Sequence, residues 1–272
     1  MNLRRSHVSS RPLFCKTPAS MNMNVSPSRT RWIVVAWLMT MTSGALAASL
    51  LRLPTGIPLD GSLMILAHGV IAVAMGSAAI GHLVRARPAT RLFPAVLVTA
   101  TFVLGFFAAR SFAPLTVAAH AALAAYAALA LASTAVADPI DGRRGRSWQA
   151  WVVGVGVLLL ILQIALGALL RHHLIGYGWH LFVAGLAALA VLIPGVAISR
   201  DAGASIAEKR AAWSAMISLL VQLLLGIVLF LMILAGSKNV SAWLLTTVAH
   251  VVTGTITLLA AARLAQILRT GR

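Results

Sequence analysis

From residue 32 onward the chain alternates long apolar runs with short polar breaks. The runs cover 32–51, 61–81, 92–110, 115–136, 149–170, 178–198, 212–234 and 241–262. Each is close to the roughly 20 apolar residues that carry an α-helix across a bilayer. In hydrocarbon every backbone amide must be satisfied internally, so runs of this length are helices; barrel strands are shorter and alternate in polarity. Pro194 falls inside the sixth run, removes an amide donor and predicts a kink there. The pattern therefore predicts an all-α polytopic membrane protein with eight transmembrane helices.

Composition strengthens this picture. Of the 272 residues 60% are hydrophobic and only 10% charged, whereas about a quarter of a soluble protein is charged. Residues 1–30 are rich in Ser, Arg and Pro, contain no acidic residue and lack the apolar core of a secretory signal. They read as a disordered basic tail; a transit peptide, or a true start at Met21 or Met23, is the alternative. Cys15 is the one cysteine, which excludes an intramolecular disulfide and a cysteine metal site.

The net charge of +17 does not point to nucleic acid. The basic residues sit in short clusters between apolar runs, with no stripe for tracking phosphates. Their distribution instead sets orientation. Arg85, Arg87 and Arg91 follow the second run, Arg143, Arg144 and Arg146 the fourth, and Arg200, Lys209 and Arg210 the sixth. The opposite side carries Arg52, Arg110, Arg171 and Lys238. By the positive-inside rule both termini are cytoplasmic, in a multi-pass protein of the plasma membrane. The five acidic residues, Asp60, Asp138, Asp141, Asp201 and Glu208, all lie outside the apolar runs, which excludes paired-carboxylate chemistry within the membrane.

Four of the eight histidines are the candidate chemistry. His68, His120, His180 and His250 occupy the second, fourth, sixth and eighth runs, each in the first part of its run. His68 lies seven residues beyond Gly61, roughly 10 Å below the outer end at about 1.5 Å per residue. His82, at the cytoplasmic end of the second run, reads as a surface residue, and His172 and His173 end the fifth run on the outer side. An ionisable residue inside a membrane helix is costly and functional by default. A lone histidine is as readily an interhelical hydrogen bond; four, one per even run and all on one side, form a set. Haem suits such a set, because its macrocycle gains from apolar burial and its iron takes axial imidazoles. Zinc usually recruits cysteine or carboxylate as well, and a proton relay would use Asp or Glu.

The odd runs carry a matching feature. Gln163 with Gly167 and Gln222 with Gly226 form Gln-x-x-x-Gly, Thr101 with Gly105 a partial version, and Ser43 with Gly44 a remnant. An odd helix with a small-residue notch is thus followed by an even helix with a histidine, four times. This is the signature of a duplicated four-helix unit, two pseudo-symmetric four-helix bundles over 31–137 and 148–264. The notch is equally explained as plain helix packing.

With these residues in place, the stretch 32–262 resembles the haem A synthase family, most closely at Gln163–His173 (LQIALGALLRH) and at VQLLLGIV from Val221. The resemblance implies eight helices in two halves with two histidines each near the outer surface. It implies haem b between His180 and His250, and the substrate haem O, oxidised to haem A, between His68 and His120. The implied partners are haem, a haem O-producing enzyme and the assembly of a terminal oxidase. The sequence departs from the family where a Glu normally precedes the first histidine, here Ile65, and where Arg normally follows the histidines, here Gly69 and Leu181. Outer-loop cysteine pairs are absent. A bis-histidine cytochrome or haem carrier without catalysis, and a haem-free transporter, are the alternatives. Arg171 and Arg110 end the fifth and third runs on the outer side and are the candidate partners of haem propionates, with His172 or His173 beside Arg171; simple snorkelling at helix ends is their other explanation.

Overall fold

A computed structural model of the chain describes residues 61–85, 88–111, 113–133, 147–237 and 239–270. The first predicted run, 32–51, and the basic tail lie outside the described residues. The remaining seven runs are all α-helical: α1 Gly61–Arg85, α2 Pro88–Ser111, α3 Pro114–Ser133, α4 Ser147–Arg171, α5 Tyr177–Arg200, α6 Ile206–Leu234 and α7 Val240–Thr270. All seven are long and apolar enough to cross a membrane, and there is no strand among the described residues. Leu66, Leu158, Leu224 and Leu245 are typical of the large apolar side chains left exposed around them. The protein is a multi-pass membrane protein.

Two helices outrun their apolar segments. α6 begins six residues before the expected 212, because Ser205 and Glu208 form a reciprocal cap. The Ser205 hydroxyl accepts the Glu208 amide at 3.2 Å, and the Glu208 carboxylate accepts the Ser205 amide at 2.7 Å. Glu208 is therefore a helical, buried carboxylate, although it lies outside the apolar run. α7 continues eight residues past the expected 262, since Leu264, Ile267 and Leu268 are still buried against its neighbours. Pro194 lies within α5, which continues through it, and Pro94 lies within α2.

Each helix packs against the next in sequence, and α4 also meets α7. Helices α4 to α7 thus close a ring of four neighbours, while α3 joins α4 and touches α7. Small residues make these approaches close. A Cβ on Gly156 would lie 3.2 Å from Ala190 Cβ, and one on Gly195 would lie 2.8 Å from Met216 Cγ. Along α7 the hydroxyls of Thr246, Thr253, Thr255 and Thr257 bond to carbonyls four residues back at 2.7–3.0 Å, so they need no partner in lipid.

The buried apolar clusters occupy one end of the molecule. One spans α4–α7 with Leu160, Val191, Leu219 and Leu258 among its members; the other spans α1–α3 with Met75, Val98 and Leu131. In chain order α1, α3, α5 and α7 run toward this packed end, and α2, α4 and α6 run away from it. His68, His120, His180 and His250 all lie beyond the clusters, toward the opposite end. His82 corrects the surface reading: it sits at the packed end of α1 next to Leu83, a member of the α1–α3 cluster, and is buried.

At the histidine end α4 and α6 close with the same backbone device. The Leu174 amide reaches back to the Leu169 carbonyl at 3.1 Å and the His173 amide to Leu170 at 2.9 Å. In α6 the Ser237 amide reaches Met232 and the Gly236 amide Ile233, both at 3.0 Å. This cap needs one residue in left-handed conformation, met by Gly236 at φ 59° and by His173 at φ 57°. A side chain at such a φ costs on the order of 1 kcal/mol.

Candidate histidine sites

The notches of the odd runs are seats for the histidine rings of the helix that follows. On α2, a Cβ at Gly105 would come within 2.7 Å of His120 Cε1 on α3. On α4, a Cβ at Gly167 would lie 3.3 Å from His180 Cε1 on α5, and on α6 one at Gly226 would lie 3.1 Å from His250 Cε1 on α7. Three glycines in three different helices thus lay bare backbone against an imidazole edge. The sequence left plain helix packing open as the reason for these glycines; the packing is specific, and its object is the ring.

One helical turn before each glycine stands the residue that holds the ring by hydrogen bonding. In the α1–α3 half, His120 Nδ1 lies 3.0 Å from the Thr101 carbonyl oxygen. A carbonyl only accepts, so Nδ1 carries the proton and Nε2 the lone pair. The Thr101 hydroxyl is itself spent on the Leu97 carbonyl at 2.8 Å. In the other half the holder is an amide. Gln163 Nε2 lies 3.0 Å from His180 Nδ1, 2.9 Å from His180 Nε2 and 3.0 Å from the His180 carbonyl oxygen. Gln222 Nε2 lies 3.1 Å from His250 Nε2. His250 Nδ1 and both glutamine Oε1 atoms are buried with no hydrogen-bond partner among the described residues.

The histidines of the first half are ring neighbours, in an edge contact. The rings of His68 and His120 are 6.5 Å apart between centroids and inclined at 86°. Two metal–nitrogen bonds of about 2 Å plus two ring radii of about 1.2 Å come to roughly 6.4 Å, the spacing of imidazoles on opposite sides of one metal. In the second half His180 and His250 lie within electrostatic range of each other, and Arg171 within electrostatic range of His250. Arg110 lies differently: its guanidinium carbon stands 4.7 Å from the centroid of the Phe106 ring, one turn back on the same helix. His172 and His173 form the cap of α4 just beyond Arg171. At the same end Tyr177 packs edge-on against Phe230 at 5.7 Å. No group of three or more His, Cys, Asp or Glu side chains that could hold a bare metal ion exists among the described residues.

Gly254, the last residue of the VAHVVTG stretch around His250, completes the second site. A Cβ there would lie 2.9 Å from Gln222 Nε2, so the glycine makes room for the holding amide. The signal was present: the residue four places after each histidine is small, namely Ala72, Ala124, Ala184 and Gly254. Compared with known proteins, the chain matches no family, no curated protein and no solved structure.

Proposed function

We propose that this chain is an eight-helix, two-halved haem protein of the membrane, related to the haem A synthases. In this reading one haem lies between His68 and His120 and a haem b between His180 and His250. The observation that carries it is the neighbouring pair His68–His120 at 6.5 Å between ring centroids, with His120 in the tautomer that leaves its lone pair on Nε2. A metal-bound histidine ordinarily donates its other ring N–H to a carbonyl or carboxylate, which is the part the Thr101 carbonyl plays. The haem would supply redox chemistry; the chain supplies axial nitrogens, glycine seats and an apolar surround. The leading activity is conversion of haem O to haem A, with a haem O-producing enzyme and terminal oxidase assembly as partners. The purified protein should show a low-spin haem absorption spectrum, and chromatography of its extracted haem should yield haem A or haem O beside haem b. A colourless protein that takes up no added haemin would end this reading.

A second reading is favoured by one observation. The one acidic residue in a described helix, Glu208, is engaged in a cap at the packed end, far along the helices from the histidines. A site without a carboxylate suits a bis-histidine cytochrome or a haem carrier. Haem b alone in the extract would select it.

Two further results are expected. Arg171 closes α4 within electrostatic reach of His250, where haem propionates would emerge. Losing a charge-assisted hydrogen bond costs about 1.5–3 kcal/mol, so Arg171→Ala should weaken haem binding by at least about tenfold. Membrane insertion should be unchanged, and equal haem content would leave Arg171 a snorkelling side chain. Arg110→Ala makes the same comparison for the first half. The charge bias of the loops supports a cytoplasmic location for both termini. A C-terminal reporter active only in the cytoplasm should therefore be on; activity restricted to the outer side would reverse the orientation.

A further inference from the structure

The α4–α7 half carries a hydroxyl that its own helix does not use. Thr246, Thr253, Thr255 and Thr257 of α7 each donate to the carbonyl four residues back. Thr247 does not. Its Oγ1 is buried with no hydrogen-bond partner among the described residues, and the residue is only 5% exposed. A buried polar group is ordinarily paired, so this hydroxyl is set for a partner other than its own helix. Thr247 lies three residues before His250 and thus on the same helix face, roughly 4.5 Å further from the packed end at about 1.5 Å per residue. Arg171, at the same end of the neighbouring α4, lies within electrostatic range of His250. The first half is built otherwise. The residues three before its histidines are Ile65 and Val117, neither with a hydroxyl. Arg110 is turned along its own helix onto the exposed Phe106 ring.

We propose that Thr247 and Arg171 together form a carboxylate site, which receives a propionate of a haem held between His180 and His250, and that the first half has no counterpart. This rests on the haem reading given above. On the other side of the histidines Leu160, Leu219 and Leu258 belong to the apolar cluster. The carboxylate edge of the macrocycle is costly to bury against such side chains. It turns the opposite way, toward Thr247 and Arg171. A hydroxyl donates to a carboxylate oxygen, and a guanidinium supplies the matching charge. The second half therefore grips its haem at the iron and at the edge, and the first half at the iron alone. A resident cofactor suits the former and an exchangeable haem the latter.

Esterifying both propionates removes the carboxylates and leaves the iron and the macrocycle in place. The test is a Soret titration of the full chain in detergent with haemin and with haemin dimethyl ester. His120→Ala isolates the second half, and His250→Ala the first. The second half should bind haemin more tightly than the ester. Adding Thr247→Val should weaken haemin about tenfold and leave the ester unchanged, because a hydrogen bond to a charged group is worth about that much. Thr247→Ser keeps the hydroxyl and should bind haemin as the unaltered residue does. The first half should not distinguish the two porphyrins. Thr247→Val weakening both porphyrins alike, or neither, would overturn the carboxylate site. So would a first half that prefers haemin as strongly as the second. All of these results require porphyrin uptake. No uptake of either porphyrin by the unaltered chain is a different failure: it ends the haem reading, and the carboxylate site with it.

Discussion

On the proposed two-haem reading, His250→Ala should carry one haem where the unaltered protein should carry two, and the haem that remains should keep its low-spin bands. The reason is the division of labour between the halves. His180 and His250 sit on glycine seats within α4–α7, whereas His68 and His120 are ring neighbours within α1–α3. Removing an axial nitrogen is more severe than removing a residue that merely orients one, which typically costs 10- to 100-fold in metal affinity; a loss of at least about 100-fold is therefore expected at the altered half. His180→Ala should be indistinguishable from His250→Ala, and the double variant no worse than either, since on that reading the two residues would act on one metal and their effects would not be additive. His120→Ala should empty the other half, and His120→Ala combined with His250→Ala should leave no haem. Stoichiometry by pyridine haemochrome assay with quantified protein checks each step. A single substitution that empties both halves, or none, would show that the histidines do not pair in this way.

Much of this arrangement was written in the sequence because the bilayer is a demanding solvent. A run of apolar residues in hydrocarbon has no option but helix, so all seven described helices follow from hydropathy alone. The placement of His68, His120, His180 and His250 toward one end was equally readable, since helix direction alternates from run to run. The ends of helices were less so. Hydropathy stops where the hydrocarbon stops, but the Ser205–Glu208 cap and the buried Leu264, Ile267 and Leu268 carry α6 and α7 further. Burial of His82 was likewise hidden, because a helix face is assigned by its neighbours and not by its own residues. The glycine notches show the limit most clearly. Their recurrence was visible, yet one helix gives no hint of what faces it, so the imidazole seated on each glycine emerged only with the packing. The difference between Thr101 and the two glutamines looked like decay of a repeat. In three dimensions it adds a side-chain amide beside the ring, Gln163 against His180 and Gln222 against His250, where the first half has only the Thr101 carbonyl.

If the glycines are seats, adding a single methyl group to each should hurt in proportion to the clearance beneath it. The Cβ of Gly105→Ala would meet His120 Cε1 at 2.7 Å, a separation that cannot be held, so the ring must move. Gly226→Ala brings the Cβ to 3.1 Å from His250 Cε1, and Gly167→Ala to 3.3 Å from His180 Cε1. Helix propensity works the other way, since alanine is favoured over glycine by about 1 kcal/mol within a helix. The fold should therefore tolerate all three, and the loss should fall on the histidine. Overpacking of this kind costs typically 1–3 kcal/mol, equivalent to about five- to 150-fold in affinity. Gly105→Ala should lie at the upper end and Gly167→Ala at or below the lower end. His120 has the least freedom to yield, being tied to the Thr101 carbonyl and neighboured by His68 at 6.5 Å. Haem affinity by Soret titration, with thermal stability of the haem-free chain measured alongside, gives the ranking. An order of Gly105, then Gly226, then Gly167, with stability nearly unchanged, is the signature of a ring seat. Equal losses at all three, or losses that track stability, would return the glycines to ordinary helix packing.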